Sequence, residues 1–145
     1  MSKNKIIITL TILILAIVTV AVFVMPYFKD TNTNIKNVTS DVKLNSKDLV
    51  NAYLVNEKES NTTYTGKVIE ISGKVKSVSF LNNRNTVILY GLQENYGVIC
   101  DVHQSQVAKL KLLKINQKIM VKGICKGFLK DVILLNCYIE TQINE

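Results

Sequence analysis

The chain predicts a mainly β protein: a five-stranded barrel with one helix between strands three and four and an extra helix ahead of strand one, preceded by a transmembrane helix. Three observations lead there. Apolar residues alternate at period two in five stretches of the C-terminal two thirds. Helical spacing of three and four appears only before the first stretch and between the third and fourth. Residues 6–25 carry no charge at all. With 145 residues, 48% hydrophobic, the chain has enough apolar content for one packed core, which excludes wholesale disorder and a multidomain enzyme.

The elements follow in order. Ile6 to Met25 reads IIITLTILILAIVTVAVFVM, about 30 Å as a helix, the thickness of a bilayer's hydrocarbon core. Lys3 and Lys5 precede it, whereas Lys29 and Asp30 cancel beyond it. The positive flank keeps residues 1–5 in the cytoplasm and sends the rest across. A cleaved leader is the competing reading, but its apolar run would ordinarily be shorter. Residues 26–45, rich in Asn and Thr without sustained period, read as a polar tether, and the folded domain is expected over 46–145.

That domain starts with a helix. Asn45 or Ser46 can cap it, Asp48 suits the positive end of its dipole, and Leu49, Ala52 and Tyr53 share a face. It should end before Asn61. A long first strand, Lys67 to Phe80, alternates through Ile69, Ile71 and Val75 and then changes phase to Val78 and Phe80. Such a slip near Lys76-Ser77 marks a bulge, and Gly73 allows sharp coiling. Asn82 to Asn85 form a turn, Thr86–Tyr90 and Gly97–Val102 the next two strands, Ser105–Lys114 a helix, and Lys118–Cys125 and Asp131–Ile139 the last two strands. In a chain of this size, that order with a coiled first strand is the oligonucleotide/oligosaccharide-binding (OB) barrel.

The residues themselves point to a family. Leu49-x3-Tyr53-x2-Asn56-Glu57, Tyr64-x-Gly66-Lys67, Val121-Lys122-Gly123-x-Cys125-Lys126-Gly127-Phe128 and Asp131-Val132-x-Leu134-x-Asn136-Cys137 together resemble the tRNA-anticodon-binding-like (tRNA_anti-like) OB family of bacterial envelope proteins. The resemblance covers about Ser46 to Ile139. It implies a lipoprotein or membrane-anchored protein of unassigned role, and this chain departs from the lipoprotein members in using an apolar span.

Charge bears on the ligand. No acidic residue falls between Asp101 and Asp131, where Lys109, Lys111, Lys114, Lys118, Lys122, Lys126 and Lys130 do. On an extended strand Lys118, Lys122 and Lys126 share one outward face, and such a stripe suits a polyanion, nucleic acid or an anionic envelope polymer. Equally, lysines solvate a strand and guard its edges. Arg84 in the first turn and Tyr90, Tyr96 and Phe128 are the candidates for contacting or stacking bases, a thin aromatic set for single-strand binding.

Three cysteines complete the inventory. Cys137 on the last strand is expected beside both Cys100 and Cys125, and the compartment permits a disulfide. Cys125 with Cys137, flanking one hairpin, is the preferred pair, with three free thiols as the alternative. His103 is the lone histidine, which excludes a conventional zinc centre built on several histidines. No nucleophile elbow, phosphate loop or paired-acid motif stands near it. The chain therefore reads as a membrane-anchored, extracytoplasmic binding or interaction module without catalytic activity or cofactor. Its alternatives are polyanion capture through the lysines and an assembly role, docking another envelope protein on the second and third strands.

Overall fold

A computed structural model of the chain describes residues 3–24 and 34–143, with side chains at 7–20, 22 and 34–140. Two units result, Met1–Thr31 and Asn32–Glu145. In the first, α1 runs Lys3–Val24, and its large apolar side chains from Ile7 to Val20 are all more than half exposed. Among the described residues no helix is long and apolar enough to cross a membrane. The transmembrane helix expected at 6–25 is therefore not shown. Its last residue, part of the expected 1–5 terminus and the first part of the expected tether lie outside the described residues.

The second unit is a closed, mixed barrel. Its strands are β1 (Val42–Asn45), β2 (Val68–Leu81), β3 (Arg84–Tyr90), β4 (Gly97–Val102), β5 (Lys118–Phe128) and β6 (Val132–Ile143). They lie in the order β1-β2-β3-β4-β6-β5, and a β2–β5 pairing closes five of them into a ring. β4 and β6 run parallel, while the other ring pairs are antiparallel. The long β2 takes part in both halves: residues 68–74 pair with β5 and 75–81 with β3. Its register shift between Val75 and Ser77 is where the apolar phase changes, because a bulge moves the following side chains to the other face.

Ile69, Ile71, Val75, Val87, Leu89, Val98, Val121 and Leu134 fill the interior, all fully buried. α2 (Ser46–Val55) adds Leu49, Val50 and Tyr53 to the same core. Its cap is Asn45, whose side chain accepts a hydrogen bond from Asp48 N at 2.9 Å. The helix breaks at Asn56, and that residue caps α3 (Glu57–Tyr64) by accepting from Glu59 N at 3.1 Å. Two short helices thus stand where the spacing predicts one. Between β4 and β5, a 3-10 turn at Gln104–Gln106 leads into α4, only Val107–Leu110. It is shorter than the expected 105–114 because Leu110 is its one buried anchor, while Leu112 and Ile115 are exposed.

The segment expected to be a tether is part of the fold from Ile35 onward. A 3-10 turn at Ile35–Asn37 buries Ile35 against Ile124 and Tyr138, with Val68 alongside, on the outer side of the barrel wall. β1 then lies parallel to β2, Val42 opposite Ile69 through Asn45 opposite Ser72. Asp41 locks the entry: its amide donates to Val68 O at 2.8 Å and its carboxylate accepts from Val68 N at 2.9 Å. A polar segment can fold this way because strand pairing uses the backbone, and three apolar side chains, Ile35, Val42 and Leu44, suffice to seat it.

Candidate functional site

Lysines that the sequence places on one stripe are dispersed by the fold. Lys118 begins β5 and is half-buried; Lys126 and Lys130 are exposed. Lys122 is only 8% exposed. Its ammonium donates to Lys36 O at 3.1 Å and pairs with Glu140 at 3.1 Å. Neighbouring Glu70, opposite Lys122 in the ladder, pairs with Lys43 at 3.1 Å. Lys43, Glu70, Lys122 and Glu140 thus form an alternating row across the wall. The stripe fails in its middle because the Ile35–Asn37 turn covers it and because β5 changes register three times against β6.

The aromatic candidates divide similarly. Phe128 stacks on Tyr53 (centroids 5.5 Å apart, planes at 17°), Tyr53 meets Tyr64 at 6.0 Å, and Tyr96 leans on Phe128 at 6.4 Å. This cluster packs α2 and α3 against the barrel, so Tyr96 and Phe128 serve packing. Arg84 is exposed beside the β2–β3 turn, away from the lysines considered next. Tyr90 is half-buried, with the Lys76 ammonium 6.0 Å from its ring centroid.

Tyr90 and Lys118 are the two candidates that come together. They line a cleft of about 660 Å³ with Ser46, Lys47, Lys74, Gly91 and neighbouring residues. Lys74 stands directly opposite Lys118 in the β2–β5 ladder. The pairing brings two lysines to the same end of the cleft. Lys47 lies in the first turn of α2, whose N-terminus carries positive partial charge. Asp48 and Glu94 are the acids of the cleft; Asp48 accepts from the Asn45 amide and Glu94 O accepts from the Lys76 ammonium.

The floor is tight. A Cβ on Gly73 would sit 3.0 Å from Ser46 Cβ and 3.2 Å from Leu89 Cδ1. Ser46 Oγ, in turn, donates to the backbone carbonyl of Tyr90 at 2.6 Å, tying the helix start to the end of β3. Lys47, Lys74 and Lys76 escape sequence reasoning because they sit on two elements that only the fold brings together. Their one visible signal is that Lys74 and Lys76 flank the bend after Gly73.

Other readings find less. His103 stacks on Tyr138 at 5.0 Å and accepts from Ser105 N at 3.2 Å, capping the 3-10 turn. Among the described residues no group of three or more His, Cys, Asp or Glu could hold a metal. All three cysteines are buried free thiols. Cys125 stands opposite Leu134, not opposite the Cys137 with which the sequence pairs it, and its sulfur lies 3.4 Å from Tyr53 Oη.

Comparison with known proteins places this barrel. The sequence profile of the tRNA_anti-like family matches residues 1–139. The chain belongs to the tRNA_anti-like family. No curated protein matches it in sequence. Among solved structures, the tRNA_anti-like chain is similar to a Klebsiella pneumoniae subsp. pneumoniae lipoprotein inferred to bind nucleic acid, at 11% identity and a TM-score of 0.57, over 78% of this chain and 100% of that one. It is also similar to asparaginyl-tRNA synthetase from Pyrococcus horikoshii (15% identity, TM-score 0.41), over 56% of this chain and 21% of the synthetase. A third is an OBody bound to hen egg-white lysozyme (11%, TM-score 0.39), over 54% of this chain and 99% of the OBody. At 11% identity the likeness to the Klebsiella protein shows a shared fold alone, and the closed five-stranded ring is consistent with the OB fold of the family.

Proposed function

We propose that this tRNA_anti-like chain is a non-catalytic binding module that holds an anionic polymer, single-stranded nucleic acid being the first to try, in the cleft between α2 and the β2–β5 wall. The observation that carries the reading is the opposition of Lys74 and Lys118 at a cleft also lined by Lys47 and Tyr90. Lysines supply the charge for a phosphate backbone, and Tyr90, with Lys76 near its ring, offers one stacking face. The Klebsiella protein of similar fold is inferred to bind nucleic acid, which is in keeping with this choice of first probe.

The test is fluorescence anisotropy of a labelled thymidine 12-mer with the full chain in detergent. If three or four lysines neutralise phosphates, affinity falls about 20- to 50-fold between 50 and 200 mM salt. Lys74→Glu with Lys118→Glu should weaken binding at least about tenfold, while Lys126→Glu with Lys130→Glu leaves it nearly unchanged. No binding at low salt, or equal effects from both pairs, overturns the reading.

A membrane anchor belongs to the same proposal. Its support is the uncharged run from Ile6 to Met25 and the exposure of the described apolar side chains of α1, since a helix apolar on all sides needs a covering of protein or lipid. Lys3 and Lys5 then put the barrel outside the cytoplasm. An alkaline phosphatase fused to the C-terminus should be active, and an inactive fusion beside a working cytoplasmic reporter reverses the orientation.

One observation favours a second reading. Ile88, Ile99 and Ile133 stand in register on β3, β4 and β6, facing outward between fully buried neighbours and partly exposed. This apolar row suits docking of another envelope protein, and such docking should be nearly indifferent to salt.

A further inference from the structure

We propose that Cys100 and Cys137 form a disulfide that staples β4 to β6 and leaves Cys125 as the single free thiol. Along the parallel β4–β6 ladder Cys100 stands opposite Leu134, and Val102 opposite Cys137. Two steps of β4 thus match three of β6. The extra residue is accommodated next to Asn136, which adopts φ 56°. Without the slip, Cys137 would point outward with Leu135; with it, Cys137 turns into the core that Cys100 also enters. Both are fully buried, two ladder positions apart on neighbouring strands. Room for the Cys137 sulfur is made by Gly123, where a Cβ would come within 2.6 Å of it. Cys125 is turned toward Tyr53 Oη instead.

Burial, followed by the Cys100 thiol, pushes the Cys137 thiol well up from its ordinary range. The closed barrel therefore holds few thiolates and keeps oxidants out, so the bond forms while the chain is still folding. One cysteine thiolate attacks the disulfide of an oxidant, a disulfide-bearing protein in the cell or oxidised glutathione in vitro, and expels one thiol. The second cysteine thiolate then attacks the mixed disulfide and expels the other. Two thiols of the chain are oxidised, one oxidant disulfide is reduced, and the two protons pass to the released thiolates. In the cell this rests on the extracytoplasmic reading above, because the cytosol keeps thiols reduced.

The experiment refolds the full chain in detergent from its reduced, denatured state in a glutathione redox buffer, then counts thiols by maleimide–polyethylene glycol gel shift under denaturing conditions. One modified thiol per chain, mapped to Cys125, and a cross-linked peptide joining Cys100 to Cys137 are expected. Reduction should then lower Tm by about 10 °C or more, given the length of chain closed by the bond. The Cys125→Ala chain should show no free thiol, so the assignment does not depend on variants of the pair itself. Three thiols, or a cross-link containing Cys125, overturns the proposal. Acid trapping in cells is the second arm: three thiols there, with the bond formed on refolding, counts against the compartment and not against the pair.

Discussion

At the scale of single residues, the same side-chain type does opposite jobs a few positions apart. Lys122 and Lys126 are both even-numbered residues of β5, yet one is nearly buried with two partners and the other is exposed. Lys122→Ala should therefore lower the unfolding free energy by about 1–3 kcal/mol, since it strips a charge-assisted bond from the Lys36 carbonyl and a partner from Glu140. Lys126→Ala should leave the urea midpoint where it is. Gly73 is the second informative position. Alanine there meets Ser46 and Leu89, so Gly73→Ala should destabilise by about 1–3 kcal/mol through overpacking and also disturb Tyr90 through the Ser46 bond. Urea melts measure the first effect, and oligonucleotide affinity the second. Neither role is visible in the sequence, because each depends on a residue dozens of positions away.

Among the elements, the instructive one is the segment from Ile35 to Asn45. Its composition is that of a linker, and composition is a poor guide where the backbone supplies the pairing. Burying Ile35 alone contributes about 1.5–3 kcal/mol, and β1 adds its ladder to β2. A chain begun at Asn32 should fold with full stability. One begun at Ser46 should lose at least about 3 kcal/mol by urea denaturation and expose Ile124 and Tyr138, raising the binding of a hydrophobic dye. Equal stability of the two would show that the segment is an ornament. The β2–β3 turn was legible, by contrast: Asn82 and Asn83 adopt φ 53° and 59°, the pairing that two-residue hairpin turns favour. Asn82→Val should cost about 1–2 kcal/mol, because a β-branched residue resists positive φ.

For the molecule as a whole, the buried protonated groups set a limit at high pH. Burial, then the Cys125 hydrogen bond, raises the Tyr53 phenol well above its usual range, and burial raises the Cys137 thiol of the reduced chain. Both groups keep their protons longer folded than unfolded. Their contribution is intact below the unfolded values, about 8.5 for cysteine and about 10 for tyrosine, and is lost as pH rises through and beyond them. Stability of the reduced chain should thus begin to fall near pH 8.5 and fall faster above pH 10. Cys137→Ala should remove the first part of the decline, and Tyr53→Phe the second. Thermal melts across pH 7 to 11 measure both, and a flat profile would refute the assignment.

The amino-acid order by itself determined the barrel, because alternation at period two, one change of phase and well-placed turn residues are local properties that survive without knowledge of neighbours. It narrowed the helix cap to Asn45 or Ser46 and pointed to the family likewise. What only the tertiary structure decided is everything that depends on which surface is covered: that Lys122 is a packed strut, that Phe128 and Tyr96 pack against the core, that Lys74 meets Lys118, and that Cys137 turns into the core. The reason is physical. A strand's pattern says which side chains share a face, but bulges re-aim them and distant segments cover them, and neither event is written in the strand itself.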